Sequence, residues 1–212
     1  MFFVKKLKLN RFLKEKKRVV LIGNAPIKTN RFNRNSLSGF IDNSDVVIRI
    51  NSADNYSRGT GEKSDILGVI NIGDPAIEFS YRREINKHVK EKISSVWFSR
   101  PLDLYNSSNI LVEEDLSEYI LSFQKLDHIP SHAISKEQYQ YISKRVSPAN
   151  GGNMVDPSSG FCFLHMMLST EELKGLKKVL VGFSWEGWTG HNWSLEKEIC
   201  LDLHKKGDIF LL

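Results

Sequence analysis

Val19-Val20-Leu21-Ile22-Gly23-Asn24-Ala25-Pro26 is a short apolar, β-branched run stopped by a Gly-Asn step and a proline. Four such residues closed by turn formers read as a buried strand rather than a helix. Val46-Val47-Ile48-Arg49-Ile50, Ile66 to Ile70, Val96-Trp97-Phe98, Lys178-Val179-Leu180-Val181 and Ile209-Phe210-Leu211-Leu212 repeat the pattern. Longer stretches with helical spacing lie between them, around 79–92, 112–125, 136–146, 159–169 and 193–206. Near-continuous apolar strands are covered on both faces, and strands alternating with helices build parallel sheets. The expected fold is α/β: a Rossmann-like, doubly wound, mostly parallel sheet in a single domain. The least regular part, about 126–157, holds Pro130, Pro148, Pro157 and Gly151-Gly152, and is expected to form a loop over the site.

A chain of 212 residues with 41% hydrophobic and 26% charged residues has the balance of one globular domain, not of a disordered or disulfide-scaffold chain. No run approaches the roughly 20 apolar residues of a membrane-spanning helix. The net charge is +5, but residues 1–18 hold eight basic side chains and one acidic one; they carry +7 and leave −2 for residues 19–212. The basicity therefore belongs to a leader, and a nucleic-acid-binding reading, resting on charge alone, is weakened. The division expected is a basic amphipathic leader over 1–18 and a domain over 19–212. Phe2, Phe3, Val4, Leu7, Leu9, Phe12 and Leu13 interleave with the basic residues and form no signal peptide. Two readings stand: a surface helix laid into an anionic lipid interface, or a solubilising tail or helix packed on the domain. Cys162 and Cys200 lack partners at metal spacing and sit in apolar segments, which fits reduced core residues and a cytoplasmic location.

Candidate site residues gather at strand ends and helix starts. Gly23 and Asn24 follow the first strand, where open α/β sheets place ligands; an ordinary turn is the competing reading. The segment lacks both G-x-G-x-x-G and the P-loop pattern. Arg49 and Asn51 share one face of the second strand. Arg49 needs either an acid such as Asp65 or a ligand, and Asn51 favours the ligand. Ser158, Ser159 and Gly160 precede the apolar helix Phe161 to Leu168, where free N–H groups suit a carboxylate or phosphate; ordinary N-capping is the alternative. His165 reads as a core or interface histidine. Trp185, Trp188 and Trp193, punctuated by glycines, suit a platform for a base or sugar ring. His191, in the loop before the last helix, has the chemistry of a general base.

The order of these pieces resembles the sialylmotifs of the animal-type sialyltransferase family. Val19–Asn24, Ile41–Ala53 and Gly61–Asp65 look like the large motif, Pro157–Gly160 through Val179–Phe183 the small one, and His191-Asn192-Trp193-Ser194-Leu195-Glu196 the very small His/Glu motif. The match covers 19–70 and about 157–212; residues 71–156 carry no alignable motif. The resemblance implies an inverting glycosyltransferase that moves sialic acid, or the related acid Kdo, from a CMP donor to a glycan or glycolipid hydroxyl. It implies that Gly23, Asn24 and Asn51 contact CMP, that Ser158, Ser159 and Gly160 hold the phosphate or carboxylate, and that His191 is the base. Glu196 would orient the helix. No Asp-x-Asp occurs, and neither a metal nor another cofactor is expected. The family's disulfide has no counterpart, since Val19 stands at the first cysteine position.

The expectation is thus a cytoplasmic CMP-sugar-dependent transferase of lipopolysaccharide or capsule synthesis, with residues 1–18 as a peripheral attachment to the inner membrane face. The alternative is a non-catalytic CMP- or nucleotide-binding or assembly protein that keeps the fold.

Overall fold

A computed structural model describes residues 17–27, 34–102, 114–147 and 155–212. Seven strands, β1 (Arg18–Ile22), β2 (Val46–Ile50), β3 (Ile66–Val69), β4 (Ser95–Phe98), β5 (Ser131–Ala133), β6 (Lys177–Val181) and β7 (Ile209–Leu211), form one sheet in the order β5-β4-β3-β2-β1-β6-β7. Every pairing is parallel. The helices are α1 (Arg34–Asp42), α2 (Gly73–Tyr81), α3 (Lys87–Lys90), α4 (Ser117–Gln124), α5 (Lys136–Val146), α6 (Ser159–Ser169) and α7 (Trp193–Lys206).

Alternation along the strands divides the core into two layers. Val20, Ile22, Val47, Val179 and Val181 pack on Leu37, Phe40 and Ile41 of α1. Farther along that face, Leu67, Val69, Val96 and Phe98 meet Ala76 and Phe79 of α2 and Ile120 of α4. The opposite face, with Val19, Leu21, Ile48 and Leu180, is covered by Ile142 of α5, Phe161 and Phe163 of α6 and Ile199 of α7. Helices preceding β5 in the chain thus lie on one face and those following it on the other. The fold is α/β, Rossmann-like and doubly wound, as the strand pattern implies.

The chain builds outward from β1 to β5, then returns to lay β6 on the other side of β1. This reversal leaves a crevice beyond the carboxyl ends of β1 and β6, where such sheets take ligands.

Three expectations are corrected. The stretch 126–157 is not one irregular loop: besides the helix expected over 136–146, found as the capping-boxed α5 whose Ser135 and Gln138 bond each other's backbone, it contains β5. β5 escaped notice because Ser131-His132-Ala133 is an edge strand without an apolar run. The helix expected over 79–92 is two helices, broken after Tyr81. Arg18 belongs to β1 rather than to a leader, and is buried with its guanidinium on Ser44 Oγ, the Phe40 carbonyl and the Phe40 ring. Residues 1–16 lie outside the described residues. Cys162 and Cys200 are free and buried, each thiol pushed up to about 12 by burial. Among the described residues no helix is long and apolar enough to cross a membrane.

Candidate functional site

The loops leaving β1 and β6 are stitched together. Gly23 N–H donates to the Val181 carbonyl at 2.8 Å, and Ala25 N–H to that of Gly182 at 3.1 Å. A Cβ on Gly23 would stand 2.4 Å from the Gly182 oxygen, so glycine is required here by the approach of two backbones. Asn24 spans to the end of β2: its Nδ2 donates to the Ile50 carbonyl at 3.2 Å and its Oδ1 accepts from Asp54 N–H at 3.3 Å. Asn55 Nδ2 donates to the carbonyls of both Gly23 and Ala25. Asn51 sits at φ 51°, a left-handed conformation that asparagine tolerates, and its Oδ1 accepts from Ile70 N–H.

Arg49 takes neither of the roles open to it in the sequence. It is 1% exposed and donates to Ser64 Oγ, Thr60 Oγ1 and the carbonyls of Thr60, Gly61 and Lys63. Asp65 instead accepts from Val47 N–H and pairs with Lys63. Burial lowers the Arg49 pKa to about 10, still far above neutrality, so the cation organises the loop before β3 and lies away from the crevice.

The third wall is the start of α6. Ser158 caps the helix, its Oγ accepting from Phe161 N–H at 3.2 Å. Its own N–H and hydroxyl both donate to one fully buried carboxylate, Glu196 of α7, at 2.7 and 2.6 Å. Desolvation raises the Glu196 pKa, opposed by the two bonds from Ser158 and by the charge of Arg100. Ser158 is therefore committed to Glu196 and the cap. Ser159 meets only Ser99 Oγ, at 3.3 Å, among the described residues, and no acceptor among them meets the N–H of Ser159 or Gly160. Those two N–H groups sit at the positive end of the helix dipole. Arg100, buried beneath, donates to the Pro157 carbonyl at 3.0 Å and to Ser99. Sequence reading missed Arg100, which follows a strand in the segment without motifs. The only available signal was an arginine two residues after the apolar Val96-Trp97-Phe98 run.

His191 closes the crevice. Its Nδ1 lies 2.8 Å from the Asp156 carbonyl, an acceptor only, so Nδ1 carries the proton and Nε2 presents a lone pair. Burial lowers its pKa, the carbonyl bond partly offsetting this and the charge of Arg100 adding to the lowering. Trp188 and Trp193 stand edge-on to the ring at 4.9 and 5.0 Å, and Trp193 Nε1 donates to the Trp188 carbonyl. A cavity of about 440 Å³ results. Gly23, Asn24, Asn51, Ser158, Ser159, Gly160 and His191 all line it, together with Trp185, Trp188 and Trp193. Its size suits one small ligand with a ring and an anionic group. Among the described residues no cluster of three His, Cys, Asp or Glu could hold a metal ion.

No protein-family model matches the chain. Over 190 residues, 84% of this chain and 85% of its counterpart, the sequence is 23% identical to a protein of Rhizobium meliloti (strain 1021). That protein is a urease operon 23 kDa accessory protein. A match running through most of both chains overturns the expectation of an inverting CMP-sugar glycosyltransferase, with its links to lipopolysaccharide or capsule synthesis: the relative is named as a urease operon accessory protein. The structure gives several residues of the motif pattern partners within the fold. Gly23 is held by Gly182, Arg49 by the 60–64 loop and Ser158 by Glu196, while a Cβ on Gly160 would stand 2.8 Å from the Phe183 ring. Much of the spacing is thus accounted for by what this sheet needs at its switch point, and a fold does not carry one chemistry.

Proposed function

We propose that the protein is an accessory protein to a urease, as its Rhizobium relative is named, and that it works by binding a small anionic, ring-bearing ligand at the switch point of its sheet. The observation that carries the accessory role is the match over more than four-fifths of both chains. The binding role is supported by the cavity, which is lined by the start of α6, two of whose N–H groups meet no acceptor among the described residues, by Asn24, Asn51 and His191, and by three tryptophans. Nucleoside monophosphates have this combination of ring and anion, and CMP serves as a probe for the class. The helix start and the Ser159 hydroxyl take the phosphate, while the tryptophan loop covers the ring. His191, neutral and fixed through Nδ1, accepts a hydrogen bond from a ligand hydroxyl. Nothing in this role calls for bond making or breaking.

Two measurements test the two halves. Urease activity in extracts of the host with and without the gene tests the accessory role; unchanged activity without it rejects that role. Calorimetry of the full-length protein with CMP, cytidine and inorganic phosphate tests the ligand class. CMP is expected to bind more tightly than either part, and Ser159→Ala and His191→Ala each to weaken it. Absence of heat with all three rejects the nucleotide reading.

A further inference from the structure

On the side of the sheet away from α6 and α7, helices α2 and α4 pack side by side with their starts and ends aligned. Leu116 N–H donates to the Asn71 carbonyl at one end, and Gln124 Nε2 to the Phe79 and Arg83 carbonyls at the other. Their inward residues are buried, as the core requires. Their outward faces carry Ile77 and Tyr81 on one helix and Tyr119 and Phe123 on the other, 38, 53, 49 and 37% exposed. Each pair is spaced i, i+4, and the rings of Tyr81 and Tyr119 meet at 5.8 Å, so the two stripes form one patch. Aromatic side chains half exposed on this scale leave roughly 300–400 Å² of surface, near the largest patch a monomer ordinarily keeps in water.

The charges framing the patch change sign along it. Asp74 and Glu118 lie in the first turns, while Arg82, paired with Glu78 at 3.1 Å, and Lys125 form the C-caps. A uniformly basic frame would suit an anionic lipid or a nucleic acid, but a frame acidic at one end and basic at the other is complementary to itself when turned by a two-fold axis across the helices. That rotation also sets the two pairs of helix dipoles antiparallel. A two-fold interface uses the same patch on both partners. We propose that the α2–α4 face is the interface of a homodimer of this chain, with Tyr81 and Tyr119 at its centre and Glu118 facing Lys125 of the second copy. Two such patches would supply the apolar centre of an interface of about 1,600 Å² in all, the common size for stable pairs. Pro75 in the first turn of α2 lines the crevice, but Ile77, Tyr81, Tyr119 and Phe123 do not.

Sedimentation equilibrium of the full-length chain, from micromolar to sub-millimolar concentration, reads the result. A monomer–dimer equilibrium is expected. Tyr119→Arg is expected to raise its dissociation constant on the order of tenfold or more, as loss of a central aromatic contact does. Tyr81→Ala, a truncation at a half-exposed position, serves as a second variant independent of the first. Glu118→Lys alone weakens pairing, and Glu118→Lys with Lys125→Glu restores it. A wild-type monomer throughout, or a dimer unmoved by both tyrosine changes, overturns the proposal. A double reversal no better than the single one overturns the two-fold arrangement.

Discussion

Replacing Glu196 by alanine should loosen the join between α6 and α7 and the candidate site with it. The carboxylate is fully buried and receives two short hydrogen bonds from one residue, Ser158. Bonds to a charged group contribute about 1.5–3 kcal/mol each, and a buried donor left without an acceptor costs about 1–3 kcal/mol. Against this stands the burial of the carboxylate itself, which disfavours its charged form and raises its pKa. The alanine relieves that penalty but leaves the Ser158 N–H unpaired and a void behind it. The net loss should be roughly 2–4 kcal/mol. Glu196→Gln keeps one acceptor for the Ser158 N–H and should lose about half as much. Ser158→Ala removes the cap and one of the two bonds, so a double-mutant cycle between positions 158 and 196 should return a coupling of about 1–3 kcal/mol. Urea unfolding followed by far-ultraviolet circular dichroism measures all four forms. A Glu196→Ala protein within about 0.5 kcal/mol of wild type, or a coupling near zero, would refute the reasoning.

Other expectations are independent of that clasp. Gly23→Ala forces a methyl to within 2.4 Å of the Gly182 carbonyl oxygen; a loss of about 1–3 kcal/mol is expected in the same unfolding assay, and wild-type stability would contradict the close approach. His165 is wedged edge-on against Phe161 with its Nε2 buried and unpartnered among the described residues, and burial, aided by Arg145, lowers its pKa to about 4. A histidine whose folded pKa is depressed contributes stability that is complete above its unfolded value near 6.5 and lost as pH falls toward 4. Wild type should lose about 3 kcal/mol across that window and His165→Leu far less; parallel pH profiles would exclude it. If residues 1–16 hold the protein on anionic lipid, full-length chain should float with phosphatidylserine vesicles and a version beginning at Lys17 should not, the difference vanishing at high salt.

Five of the six apolar runs recognised in the sequence became inner strands, which must be apolar on both faces, and the sixth became the partly buried edge strand β7. β5 was invisible for the converse reason: at the sheet edge, Ser131 and His132 are exposed and no burial constrains their type. The candidate site residues were likewise legible, since strand-end Gly-Asn steps, a Ser-Ser-Gly helix start and a loop histidine are local signals. Arg100 was not. Its significance comes only from lying beneath the α6 start, about 60 residues away in sequence.

The residues that looked most like ligand contacts show where sequence reasoning stops. Gly23 and Gly182, Arg49 and the 60–64 loop, and Ser158 and Glu196 are each pairs whose meaning lies in contact across the fold. Read singly, they suggested a transferase motif; paired, they account for one another. By itself the sequence determined the α/β class, the parallel sheet and the segments that reach its carboxyl edge, because period and burial act locally along each element. Only the tertiary structure decided which polar groups face the cavity and which are already satisfied, because a hydrogen-bond partner is chosen by proximity in space. The same holds for the aromatic face of α2 and α4: each stripe is an ordinary i, i+4 pair, and only packing the two helices side by side makes them one surface.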